Sequence, residues 1–267
     1  MVHNTKQFRL FWPFMFRIHL WVVVVALVAV SVAGCGAEDI DAIFPPRLAA
    51  VLTKVADAKS IPYGAMISGM LALICAFSPA SWVSSIGGHF EPLIMNFKNV
   101  GNSGINKTGA TRYFDFVFKT VRGALIYLSL DPVKCLARGV QVMKRSIPSL
   151  DNTATQAALL QRISLDHNLF GSFDEQATQM RQFTNGSNSG LEAGVQAALQ
   201  LYNGPPVFVN ELKGSTETAC LPRYSCVANI QPPLAVSDFG VGSKLFGIGM
   251  TSRSIWFNLT SNFSMEP

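Results

Sequence analysis

Two stretches without a single Asp, Glu, Lys or Arg, residues 18–37 and 60–90, constrain this chain more than any other feature. An apolar helix of about 20 residues is long enough to cross a hydrocarbon layer roughly 30 Å thick. Charged side chains make up only 14% of the sequence, against roughly 25% in an average soluble domain. The second stretch, Tyr63 to Val83, reads YGAMISGMLALICAFSPASWV. Its Gly64, Ala65, Ser68, Gly69 and Ala72 recur at near-helical spacing, a face suited to close packing on another helix. A bilayer or a buried protein core would accept such a segment. The uncharged length favours a transmembrane helix over residues 60–86.

The first stretch opens the chain. Lys6, Arg9 and Arg17 precede an apolar run from Ile18 to Ala33, the order of a signal peptide or signal anchor over residues 1–36. The run ends in Val32-Ala33-Gly34-Cys35, which resembles the bacterial lipobox. That resemblance implies lipidation at Cys35, with acyl chains as the anchor. The aromatic residues Phe11, Trp12, Phe14 and Phe16 suit an uncleaved anchor with an interfacial belt equally well.

Residues 37–88 resemble a loop–proline–helix passage of amino-acid permeases of the cationic transporter type, through AED, FPPRLAAVLTKV and IPYGAMISGMLALICAF. The resemblance implies a transporter-derived fragment, although such transporters need many helices around a midplane site.

Charge is unevenly distributed. Residues 92–148 carry nine Lys and Arg against Asp115 and Asp131. Residues 111–130 have helical periodicity, with Phe114, Phe118, Val121, Leu125 and Leu128 on one face and Arg112, Lys119 and Arg122 on another. A second amphipathic segment sets Val133, Leu136, Val140 and Met143 against Lys134, Arg138 and Arg145. Both can lie in a headgroup layer, which would bring Arg112, Lys119, Arg122, Lys134, Arg138 and Arg145 to anionic lipid headgroups. Packing on the rest of the protein is the alternative. No recognition helix, zinc finger or aromatic base platform accompanies the charge, so nucleic acid is not an expected partner.

Residues 149–267 read as helices followed by β-strands. A helix is expected from about Asn152 to His167, and short helices after the capping-box strings Ser172-Phe173-Asp174-Glu175 and Ser189-Gly190-Leu191-Glu192. From Val207 the runs VFVNEL, YSCVANI, KLFGIGM and SIWFNL alternate with turn residues, predicting a small sheet or hairpin set. Cys220 and Cys226 enclose a loop short enough for a disulfide to close. The sequons at Asn185, Asn258 and Asn262 raise the same question of compartment.

Recognisable chemistry is sparse. Ser237-Asp238-Phe239-Gly240 matches a kinase tripeptide but lacks a catalytic loop and a glycine-rich loop. Gly240-Val241-Gly242 and Gly247-Ile248-Gly249 lack the context of a dinucleotide fold. Gly101-Asn102-Ser103-Gly104 lacks the spacing of a nucleophile elbow. His3, His19, His89 and His167 are the only histidines, and no CxxC pair suggests zinc or redox work. The reading therefore expects no catalytic residue, metal, cofactor or small-molecule substrate. It expects a membrane-anchored α+β protein with one or two transmembrane helices, amphipathic helices and a small C-terminal helical and β domain. Its expected role is that of a non-enzymatic cell-envelope subunit in an assembly such as a secretion or conjugation apparatus, contacting lipid and other protein subunits. A permease-like fragment and a membrane-bound enzyme without a recognisable motif are the alternatives.

Overall fold

A computed structural model describes residues 36–79, 81–84, 90–129, 147–151, 156–175, 199–201, 203–212, 215–247 and 251–259. Three helices come first: α1 (Ala37–Ile43), α2 (Pro46–Lys59) and α3 (Tyr63–Ala76). Prolines 46 and 62 sit at helix entrances, where a missing N–H costs nothing and the fixed φ fits. Helix α2 stops at Ser60, which takes a left-handed conformation at φ 52°.

The centre of the fold is a five-stranded sheet built from β3 (Asn96–Val100), β4 (Ser149–Asp151), β5 (Asn168–Phe173), β8 (Arg223–Ile230) and β9 (Ile255–Asn258). Its order is β4-β5-β8-β3-β9, and each neighbouring pair is parallel. Two antiparallel pairs lie outside it: β1 (Trp82–Ser84) with β2 (Phe90–Pro92), and β6 (Val207–Leu212) with β7 (Ser215–Cys220). The long helix α4 (Lys107–Ser129) follows β3, α5 (Gln156–Asp166) precedes β5, and α6 (Pro232–Phe239) and α7 (Lys244–Gly247) connect β8 to β9.

Parallel sheets are covered on both faces, so their strands read as apolar runs. All six residues of β5 and all eight of β8 are buried. One face carries Phe97, Phe170, Val227 and Phe257 against α1, α2, α3 and α4. The other carries Leu169, Tyr224, Cys226, Ala228 and Ile230 against α5, the β6–β7 pair and α6.

This architecture answers several sequence expectations. The Tyr63–Val83 stretch forms a 14-residue helix ending at Ala76, then a turn and strand β1. Eleven of the 14 residues are buried, packed against β3, β5, β8, β9 and α4. A helix apolar all round needs burial on every side, which neighbouring elements of a protein core supply as well as lipid does. Gly69 lets Phe114 of α4 lie directly on α3, since a Cβ there would collide with the ring. Among the described residues no helix is long and apolar enough to cross a membrane. Residues 1–35, including Cys35 and the apolar run, lie outside the described residues.

The helix expected over 111–130 forms within α4; Phe114 and Phe118 of its apolar face join the core against the sheet, whereas Val121 of the same face is exposed and Leu125 partly so. The expected 152–167 helix forms as α5. At the capping-box string Ser172 and Phe173 end β5, and Asp174 and Glu175 stand just beyond its carboxyl end; the residues that a helix after it would occupy, 176–198, lie outside the described residues. The string at Ser189 lies outside the described residues. KLFG forms the short α7, not a strand. Of the late strands, β6 and β7 form an antiparallel pair of their own, whereas β8 and β9 flank β3, far upstream in sequence.

Candidate functional site at the carboxyl ends of β3, β5 and β8

In open α/β sheets, ligands bind beyond the strand carboxyl ends where the strand order reverses. Here the chain leaves β3 through α4 toward β4 at one edge, while β8 leads through α6 to β9 on the other side of β3. The reversal falls between β3 and β8.

The segment joining β3 to α4 reads Gly101-Asn102-Ser103-Gly104-Ile105-Asn106-Lys107-Thr108. Its spacing is that of the phosphate-binding loop G-x-x-x-x-G-K-[ST], with Asn106 where the second glycine stands. The context is the one that motif requires, a buried strand before it and a helix of 23 residues after it. Backbone geometry explains the residue choices. Gly104 has φ +90° in open space, and Asn106 has φ +57°. Asparagine is among the few residues other than glycine that tolerate this region. Gly101 lies under Ile105 and Leu259, which leave no room for a Cβ. Its N–H donates to Ile230 O at 3.2 Å, and Leu259 N–H donates to Val100 O at 2.7 Å.

Lys107 folds back over the loop. Its ammonium donates to Gly101 O and, at 3.4 Å, to Ile230 O. Burial lowers its pKa below the ordinary lysine value, and Glu175 at the end of β5 pulls in the opposite direction. Asp174 is exposed and Glu175 half-buried, so both carboxylates end a fully buried strand at the same rim. Beneath them, burial raises the pKa of Asp115 on α4, while nearby Ser172 favours its ionised form. Neither Oδ1 of Asp115 nor Oγ of Ser172 has a hydrogen bond of regular geometry.

A buried polar chain underlies the loop. Ser68 Oγ donates to Asn99 Oδ1 (2.8 Å), Asn99 Nδ2 to Asn229 Oδ1 (3.3 Å), and Asn229 Nδ2 to Thr111 Oγ1 (2.9 Å). It joins α3, β3, β8 and the second turn of α4, fixing β3 and β8 relative to the helix that the loop feeds. Such satisfied networks specify one arrangement, because an unpaired buried carboxamide is costly.

The residues singled out from sequence lie elsewhere. Arg112 and Lys119 are exposed on α4, whereas Arg122 turns inward and donates through Nε to Pro148 O at 3.0 Å. Lys134, Arg138 and Arg145 lie outside the described residues. Cys220 and Cys226, the candidate disulfide pair, are not bonded to each other. Cys220 is exposed at the end of β7, while Cys226 is buried in β8 and donates to Asn96 Oδ1 at 3.1 Å. The strand turns that side chain into the core, away from its expected partner. His167 accepts from Cys220 N–H at 3.1 Å through Nδ1 and holds φ +60°, a structural role. Asp238 and Phe239 end α6 and Gly240 caps it. Among the described residues no cluster of three or more His, Cys, Asp or Glu could hold a metal by itself.

The loop and the Asp174-Glu175 pair were missed from sequence. The signal for the first was Gly, five residues, then Lys-Thr, between a β-type run and an amphipathic helix. The signal for the second was a strand-like NLFGSF run ending in two carboxylates. Neither any protein-family model nor any curated protein matches the chain, so the reading of this site rests on its own geometry.

Proposed function

We propose that this protein binds a nucleoside triphosphate through the β3–α4 loop and hydrolyses it. The observation that carries the reading is the placement of Gly101–Thr108 between a buried parallel strand and a long helix, at the point of strand-order reversal. Helix amino termini and successive loop N–H groups form an anion-binding concavity. Lys107 adds a cation at its mouth, now held by two carbonyls that phosphate oxygens would replace. This departs from the expectation of a non-enzymatic subunit, and the loop's geometry is the reason.

The acidic residues supply the remaining chemistry. The Thr108 hydroxyl and the Asp174 carboxylate are hard oxygen donors of the kind Mg2+ takes alongside phosphate oxygens. When bound, that ion neutralises charge on the phosphates. Glu175, just beyond the carboxyl end of β5 on the rim that the loop shares, would orient or deprotonate an attacking water. The Ser68–Asn99–Asn229–Thr111 chain holds the two strands around the phosphates.

The charge-free run over residues 18–37 supports attachment of this unit to a membrane, as a nucleotide-driven subunit of a larger assembly. Phosphate release from ATP with Mg2+ by the purified full chain in mild detergent tests the activity. Lys107→Ala is expected to weaken binding more than tenfold and to abolish turnover. Glu175→Gln is expected to keep binding and lower turnover about 10²- to 10⁴-fold. Turnover unchanged in both variants would sink the proposal.

A further inference from the structure

We infer that Asn106 is a positioning residue that makes the helical layer α1–α3 part of the phosphate site, so that occupancy of the loop and seating of α2 are coupled. The inference rests on the phosphate-loop reading above. The sixth position of the loop has positive φ, a requirement that a plain glycine would meet. Asparagine meets it too and adds a carboxamide.

That carboxamide has a defined target. Asn106 Nδ2 donates to Lys59 O at 2.6 Å. Lys59 is the last residue of α2, and the last carbonyls of a helix have no intrahelical donor. The turn beyond it reverses through Ser60, and Ile61 N–H reaches back to Ala56 O at 2.9 Å. Asn106 thus completes the carboxyl end of α2 from within the loop.

A second, independent feature makes room for this contact. Gly109, in the first turn of α4, has the Asn106 carboxamide over it, and a Cβ there would lie 2.5 Å from Oδ1 and 2.6 Å from Nδ2. Glycine near a helix start is disfavoured relative to alanine by about 1 kcal/mol when nothing else is at stake. Here the missing methyl leaves room for the carboxamide in the position from which it reaches Lys59 O. The buried Ser68–Asn99–Asn229–Thr111 chain provides a second connection from the same helical layer to the site. Coupling of this kind is reciprocal: if phosphate steadies the loop and hence the end of α2, an unseated α2 weakens phosphate binding by the same factor.

Amide hydrogen exchange on the full chain in mild detergent, with and without ATP and Mg2+, tests this. In the wild type, nucleotide should slow exchange across residues 53–61. Asn106→Gly keeps the left-handed backbone, and should bind ATP about three- to tenfold more weakly, as for the loss of one good hydrogen bond. It should also lose the nucleotide-dependent protection of 53–61. Gly109→Ala should give the same loss of protection although alanine is the better helix former. Either variant keeping both wild-type affinity and that protection would overturn the coupling. Wild-type protein that binds ATP with no change at 53–61 would overturn the coupling and leave the phosphate-loop reading standing. Wild-type protein that does not bind ATP would overturn both.

Discussion

Replacing Phe118 with alanine tests whether α4 packs on the sheet or lies in a headgroup layer. The ring is 0% exposed. It stacks on Phe170 of β5, with centroids 5.2 Å apart and planes 18° from parallel, and meets Phe77 beyond α3 at 5.4 Å. Truncating a fully buried phenylalanine costs about 3–5 kcal/mol, and each favourable ring pair accounts for about 0.5–1.5 kcal/mol beyond buried area. With two such pairs, one to β5 and one to the residue that caps α3, the upper half of that range is expected. Against a total stability of roughly 5–15 kcal/mol, this is a large fraction. Urea unfolding of the full chain in mild detergent, followed by tryptophan fluorescence, measures it. A double-mutant cycle with Phe170→Ala should return a coupling of about 1 kcal/mol. A cost below about 1 kcal/mol with no coupling to Phe170 would refute the packing and favour a helix whose aromatic face meets lipid.

Three further outcomes are expected. Gly69→Val drives a branched side chain into the Phe114 ring and should destabilise by about 1–3 kcal/mol in the same unfolding assay; an unchanged midpoint would mean that α3 does not lie under α4. Gly104 and Gly123 both have open space around them, but only Gly104 has positive φ. Gly123→Ala should therefore stabilise α4 by about 0.5–1 kcal/mol, whereas Gly104→Ala should destabilise by about 1 kcal/mol. Equal signs would contradict the loop conformation. The third concerns pH. Lys107 is shifted below 10.5 by burial, so its charged form is disfavoured on folding. Stability of the free protein should rise as pH climbs through the folded pKa toward 10.5, while ATP affinity falls over the same window because phosphate needs the ammonium. Lys98, buried in β3, is shifted the same way and adds to the stability term. The difference between wild type and Lys107→Met isolates the loop's share, and a flat difference would count against Lys107 as the titrating group.

Much of the secondary structure was legible where periodicity was long and one-sided. The stripe of Phe114 and Phe118 announced α4, and the VFVNEL, YSCVANI and SIWFNL runs announced strands. Tertiary pairing was not legible. Nothing local in YSCVANI says that it lies between NLFGSF and NFKNV, because parallel partners are joined by crossovers and leave no turn signal between them. The Tyr63–Val83 stretch was ambiguous in kind, since a helix apolar on all sides suits lipid or a packed core. Its length decides, and the helix stops at Ala76.

The candidate site was hidden by two degeneracies. A serine three residues before a glutamate is a capping box in a helix, but it is equally the end of a strand that presents Asp174 and Glu175. The loop was hidden by one substitution, because Asn106 removes the second glycine by which the motif is usually recognised. Only the φ of +57° at Asn106 shows that asparagine does the glycine's backbone work there.

Equilibrium titration of ATP with Mg2+ into the full chain in mild detergent, alongside Lys107→Ala, tests the central claim most directly. Saturable binding by the wild type is expected, competed by inorganic triphosphate and weakened more than tenfold in the variant, as befits loss of a charge-assisted bond of about 1.5–3 kcal/mol. Absence of binding in the wild type, or equal binding by both proteins, would contradict the assignment of the Gly101–Thr108 loop as a phosphate site.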